Sequence, residues 1–137
     1  APELVIDNGS GLSRSERASA ATIAALLQSA WRSRVMPEFI ASLPVAAMDG
    51  TMRKRLLGEP VGGHAHIKTG LLQNARSVAG YVLDSRGRRY AVVMVVNHPR
   101  AGASQEALDA LLAWAYEGAR GRGSPRAGPP GGGPPGP

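Results

Sequence analysis

The run Arg89-Tyr90-Ala91-Val92-Val93-Met94-Val95-Val96-Asn97 decides the fold. Successive side chains of a strand point to opposite faces. Tyr90, Val92, Met94 and Val96 therefore share one face, and Ala91, Val93 and Val95 the other. Both faces are apolar, whereas a sheet with one wet face would alternate apolar and polar residues. This strand demands cover on both sides. Just upstream, Ser77 to Leu83 has the same Val- and Tyr-rich character, and Asp84-Ser85-Arg86-Gly87-Arg88 between the two reads as a tight hairpin. His64-Ala65-His66-Ile67-Lys68 is a third, shorter strand.

The cover comes from helices on either side in sequence. Ile23, Leu26, Leu27, Ala30 and Trp31 recur at helical spacing, which predicts a helix from Glu16 to about Ser33 with Ser15 as its N-cap. Pro37 opens a short second helix through Phe39 and Ile40. Leu108, Leu111, Leu112 and Ala115 define a last helix from about Ser104, its cap, to Glu117, with Gly118 suited to its end. Between Leu43 and Gly63 lie Pro44, Gly50, Gly58, Pro60, Gly62 and Gly63, so this segment reads as mostly loop with one helical turn near Met52–Leu57. The fold class is α+β, an antiparallel sheet flanked by helices. Two good helices are thin cover for two apolar faces, and further sequence upstream is expected to complete the domain.

Composition divides the chain in two. Residues 1–118 form one body. From Gly121 to Pro137, 13 of 17 residues are Gly or Pro, and 119–137 is expected to be a disordered Gly/Pro/Arg tail because it cannot bury enough apolar surface to offset its ordering entropy. The alternative is an Arg/Gly arm that touches an anionic polymer. The net charge is +6, but Arg120, Arg122 and Arg126 lie in the tail, so the body's basicity does not call for a nucleic-acid partner. Without cysteine there is no disulfide framework and no thiolate metal site. The longest apolar run, Ala91 to Val96, falls far short of the roughly 20 residues of a membrane span. The start, Ala1-Pro2-Glu3-Leu4-Val5-Ile6-Asp7, has neither an initiator Met nor the pattern of a secretory signal, and the chain reads as an excised or truncated piece.

The strongest chemical signal is His66-Ile67-Lys68-Thr69-Gly70. Lys68 places a cation at the sheet edge, Thr69 a hydroxyl beside it, and Gly70 lets a ligand lie close to the backbone. A point charge, a hydroxyl and open backbone N–H groups suit a carboxylate. His64, His66 and His98 have no obvious carboxylate beside them, so no metal site is expected. Arg53-Lys54-Arg55 reads as a solvated loop, and the aromatic residues, Trp31 and Trp114 among them, as core packing.

Lys-Thr-Gly belongs to the active-site set of penicillin-binding proteins and serine β-lactamases. The context resembles one branch of that superfamily. Asn8-Gly9-Ser10-Gly11-Leu12-Ser13-Arg14 before a helix, Leu43-Pro44-Val45-Ala46-Ala47-Met48-Asp49-Gly50-Thr51 before Lys-Thr-Gly, and Ala79-Gly80-Tyr81 after it look like segments of the class C, penicillin-binding protein 4-like (peptidase S13) D-alanyl-D-alanine carboxypeptidases. The likeness covers about 1–118. It implies the C-terminal part of a serine β-lactamase/transpeptidase-like domain that acts in the periplasm on peptidoglycan stem peptides, reacts with β-lactams and needs no cofactor. A serine would form an acyl-enzyme that water resolves. By matching position, Lys68 would support the proton network and Thr69 would bind the terminal carboxylate. Gly70 would open the backbone, and the N–H of Leu71 would form half of the oxyanion hole. Arg14 would face the stem-peptide side chain, and Asp49, Gly50 and Thr51 would hold the neighbouring loop in shape.

The sequence departs from the family's pattern in one respect. Three residues before Lys54 and Lys68 stand Thr51 and Ala65, so there is no Ser-x-x-Lys; two before Asn8, Asn74 and Asn97 stand Ile6, Leu72 and Val95, so there is no Ser-x-Asn. The expectation is a fragment whose partner is the missing N-terminal part of the same domain. The alternative is a non-catalytic partner-binding fragment or the product of a truncated gene.

Overall fold

The strand expected from Arg89 to Asn97 has those bounds in the computed structural model, which describes residues 3–118. The expected tail, 119–137, lies outside the described residues. With Ala65–Leu72 as β1, Ala75–Leu83 as β2 and Arg89–Asn97 as β3, the sheet order is β1-β2-β3 and both pairs are antiparallel. Helix α1 spans Ala20–Trp31, α2 Met36–Ala41 and α3 Gln105–Gly118. Short 3-10 turns occupy Gly50–Met52 and Ala101–Ser104.

The two apolar faces read from the sequence both pack against helices, although Val95 near the end of β3 stays exposed. Val78, Val82 and Val92, with Ala65 and Ile67 of β1, pack on Leu108, Leu112 and Ala115 of α3. The same core takes Ala46, Met52 and Val61, all buried, from the segment expected to be mostly loop. That segment is thus core structure without regular secondary structure, anchored by its few apolar side chains. Its one helical turn falls at Gly50–Met52, before the expected Met52–Leu57. On the other face, Tyr81, Ala79, Ala91 and Val93 meet Ile23 and Leu27 of α1, Phe39 and Ile40 of α2, and Leu43. Each fully buried aliphatic side chain contributes about 1.5–3 kcal/mol. The Tyr81 hydroxyl donates to the Leu27 carbonyl at 2.6 Å and pins α1 to β2. Burial pushes that phenol's pKa up, while the charge of Arg89 pulls the other way.

Several boundaries move for physical reasons. Helix α1 begins at Ala20, after the expected Glu16, because Val5 and Arg17 exchange backbone hydrogen bonds of 2.8 and 3.0 Å that hold Arg17 extended. The N-cap is therefore Ser19, whose Oγ accepts the Thr22 N–H at 3.0 Å, and not Ser15. Leu26 of the expected apolar stripe is 64% exposed. Trp31 and Trp114 are 38% and 47% exposed and do not fill the core. Instead Trp31 lies against Tyr81 with ring centroids 5.4 Å apart, and the Arg89 guanidinium sits 4.9 Å over its ring. Before α3, the Ser104 hydroxyl donates back to the Ala101 carbonyl at 2.7 Å, closing the preceding turn.

The β2–β3 hairpin is built on a buried acid. Asp84 Oδ1 accepts the N–H groups of Arg86 and Arg88 at 2.9 and 2.7 Å, and Oδ2 accepts Arg88 Nε at 2.8 Å. Burial alone would raise this carboxyl's pKa. The Arg88 N–H and guanidinium and the Arg86 N–H outweigh it and hold the pKa below the usual carboxylate value.

Candidate functional site

Strand β1 runs on through Lys-Thr-Gly to Leu72, past the expected end at Lys68. Leu71 pairs with Arg76 and Leu72 with Ala75, so the β1–β2 ladder continues to a turn at Gln73 and Asn74. Gly70 is tolerated inside the strand because it faces Ser77, whose Oγ would clash with a Cβ at position 70. Gly80 is needed more strictly. A Cβ there would overlap the His66 carbonyl oxygen and stand 3.0 Å from both His66 C and Ile67 Cα, so the absence of a side chain lets β2 close on the strand that carries Lys68.

The outer edge of β1 is half closed and half open. Ile67 N–H donates to the Pro44 carbonyl at 2.7 Å, and Ala46 N–H donates to the Ala65 carbonyl at 2.9 Å. These bonds place the backbone polar groups of the odd-numbered residues on the side away from β2. By the alternation of an antiparallel ladder, the N–H and C=O of Thr69 and Leu71 also point outward, beyond the stretch that Pro44–Ala46 covers. The Lys68 ammonium reaches this edge too, since Nζ donates to the Thr69 carbonyl at 2.6 Å. Lys68, Thr69 and the Leu71 N–H thus line one open margin.

Beneath that margin, on the α3 side, lies a cavity of about 180 Å³ lined in part by Thr51, Arg55, Thr69, Gly70 and Arg76. Thr69 Oγ1 donates to Thr51 Oγ1 at 2.9 Å. Thr51 therefore does more than shape its loop, because it holds the hydroxyl next to Lys68. Asp49 does act on the loop: its Oδ1 accepts the Val45 N–H. Arg55 is paired with Asp109. Arg14 is placed differently. It shares a second cavity, of about 460 Å³, with Leu72, Gln73 and Asn74, at the same end of the sheet but past the β1–β2 turn and outside the Thr69 cavity.

The histidines do not converge. His64 stacks on Tyr116 with ring centroids 5.2 Å apart, and His98 Nδ1 accepts the Arg100 N–H at 3.0 Å. Among the described residues no group of His, Cys, Asp and Glu is set to hold a metal ion. His66 shares a β1 face with Lys68, two residues away. Burial depresses its pKa, and the Arg89 charge adds to this, against the Ile40 backbone and Asp49. Its Nδ1 is buried without a hydrogen-bond partner among the described residues.

The edge strand thus presents Lys-Thr-Gly, with two threonine hydroxyls in a cavity below it and outward N–H groups along its margin. Residues 1–117 match the model of the D-Ala-D-Ala carboxypeptidase 3 (S13) family, and the chain belongs to that family. It is 34% identical over 131 residues to a D-alanyl-D-alanine carboxypeptidase of an Actinomadura species, covering 85% of this chain and 24% of the relative. It is 32% identical over 80 residues to penicillin-sensitive carboxypeptidase A of Dictyostelium discoideum, covering 57% and 15%. Among solved structures, penicillin binding protein 4 from Haemophilus influenzae superposes with a TM-score of 0.71 at 24% identity, covering 83% of this chain and 27% of that one, which shows a shared fold. The same protein complexed with a β-lactam superposes with a TM-score of 0.64 at 28% identity, covering 71% and 23%. The chain therefore spans about a quarter or less of the length of these proteins. No helix among the described residues is long and apolar enough to cross a membrane.

Proposed function

We propose that this chain supplies the Lys-Thr-Gly wall of a periplasmic serine-type D-Ala-D-Ala carboxypeptidase/endopeptidase acting on peptidoglycan stem peptides. The nucleophilic serine and its lysine are contributed by sequence outside these 137 residues. The observation that carries this reading is the open half of the β1 edge, which Lys68 and the outward Leu71 N–H line, with the Thr69 hydroxyl in the cavity beneath it. A stem peptide ending in D-Ala-D-Ala lies along that edge, with Gly70 allowing close approach. The serine Oγ attacks the penultimate carbonyl, and the Leu71 N–H supplies one of the donors to the oxygen that becomes negative. Collapse of the tetrahedral species expels the terminal D-Ala, whose amine takes up a proton, and leaves an ester that water hydrolyses. The Lys68 ammonium supports proton movement and holds negative charge in the cleft, and Thr69 meets the terminal carboxylate. Arg14, farther out, suits a carboxylate on the stem-peptide side chain. A β-lactam acylates the same serine and is retained.

The test is Lys68→Ala in the full-length protein. Lys68 is exposed and makes one side-chain hydrogen bond, to its neighbour's carbonyl. Its loss should cut β-lactam acylation by orders of magnitude while thermal unfolding stays put. Unchanged acylation kinetics would remove Lys68 from the reaction.

A further inference from the structure

Arg76 on β2 stands directly opposite Leu71. Since Thr69 pairs with Val78, a residue of the α3-side core, the alternation puts Arg76, Leu71 and Thr69 on one face of the sheet. Arg76 lines the same cavity of about 180 Å³ as Thr69 and Thr51. Its Nη1 donates to the carbonyls of Leu72 and Ala75, the latter at 2.9 Å. That anchors the guanidinium and leaves Nε and Nη2 among its five N–H donors. The other guanidinium in the cavity, Arg55, is neutralised by Asp109; Arg76 is in neither of the ion pairs among the described residues.

The hydroxyls set what the cavity lacks. Thr69 and Thr51 spend one proton on each other, so the pair has a single O–H left for a ligand. A carboxylate there needs another donor and a counter-charge. Lys68 cannot easily give both, because it lies on the opposite strand face with its ammonium on the Thr69 carbonyl.

We propose that Arg76 is a specificity residue of this cleft. Together with the Thr69 hydroxyl it binds the C-terminal carboxylate of the peptide, and so it selects substrates with a free terminal carboxylate over those with a neutral group at that place. This rests on the reading of the β1 edge as the substrate wall. The competing account is purely structural: Arg76 only ties the carbonyls of the β1–β2 turn.

The test measures second-order acylation of the full-length protein by a penicillin and by the same penicillin's methyl ester. The unsubstituted protein, Arg76→Ala and Arg76→Lys are compared, with thermal melting as a check on folding. A charge-assisted hydrogen bond is worth about 10- to 100-fold in rate when lost. Arg76→Ala should slow the free acid by about that factor and the ester less than about threefold, and Arg76→Lys should regain part of the acid's advantage. Equal losses for acid and ester, or no loss for either, overturn the proposal and leave the wall reading standing. Failure of the unsubstituted protein to be acylated by either compound overturns both. If Arg76→Ala does not fold, the acid-to-ester ratio of Arg76→Lys decides: a ratio equal to that of the unsubstituted protein, at an unchanged melting temperature, counts against guanidinium recognition.

Discussion

Gly80→Ala should damage the proposed reaction without changing a residue assigned to the proposed cleft. Gly80 lies on β2 directly opposite Ile67 of β1, which is one residue before Lys68, and a Cβ there would meet backbone and not a movable side chain. His66 C and Ile67 Cα would each stand 3.0 Å from it, against about 3.5–4.0 Å for ordinary carbon contact. The strands must part by about 0.5–1 Å, and by more at the His66 oxygen, which the methyl would overlap. Overpacking of this kind costs about 1–3 kcal/mol. A misplacement of about 1 Å can slow catalysis roughly 100-fold, and the displaced strand is the one that carries Lys68, Thr69 and the Leu71 N–H. Two measurements on the full-length protein check this: the β-lactam acylation rate and amide hydrogen exchange along β1 and β2. The expectation is slower acylation together with faster exchange at 66–71, while β3 is less affected. Normal acylation and unaltered exchange in the Gly80→Ala variant would refute the claim that close approach of β2 sets the position of the reactive edge.

Three further outcomes follow from separate features. Leu112, fully buried between α3 and the sheet, should lose about 2–5 kcal/mol on Leu112→Ala; a urea midpoint shift equivalent to under about 1 kcal/mol would show that this core is not the one that holds the fold. His66 has a folded pKa below the ordinary histidine value. The neutral form is thus favoured by folding, and stability is full above about pH 6.5 and declines as pH falls below it, until the folded pKa is passed. Urea unfolding at two pH values on either side of about 6.5 should show that decline, and His66→Gln should remove it; an equal decline in the variant would assign it elsewhere. Finally, the 137-residue chain on its own should not be labelled covalently by penicillin, since it contains no Ser-x-x-Lys; stoichiometric labelling mapped by mass spectrometry to one of its serines or threonines would contradict this.

The parts of the fold governed by short-range periodicity were readable in the sequence. The doubly apolar pattern of β3 gave its bounds and the need for two covered faces, and Leu108, Leu111, Leu112 and Ala115 gave the inward side of α3. What was not readable depends on contacts between distant segments. Nothing local tells Arg17 to pair with Val5, yet that bridge delays α1 and moves its cap to Ser19. Met52 and Val61 look like stray apolar residues among prolines and glycines, and only the assembled sheet reveals the space they fill. Within the candidate site, Lys68, Thr69 and Gly70 announce themselves as a motif. The Thr51–Thr69 hydrogen bond and the placement of Arg76 arise from pairing across 18 residues in one case and from strand register in the other. The one charged residue of β2, directly opposite the residue after Lys-Thr-Gly, was the available signal for Arg76.

The half-closed edge of β1 also works as a ruler. An unpaired strand edge invites any extended chain to add to it, but Pro44 to Ala46 already occupies the stretch up to Ile67, and the strand ends at Leu72. Five residues, 68–72, remain, and at about 3.3 Å per residue they offer roughly 16 Å. That is room for only a short extended segment of a few residues. A long strand from an unrelated protein would strike the Pro44 segment before it could zip up, so that segment protects the exposed edge from open-ended sheet growth.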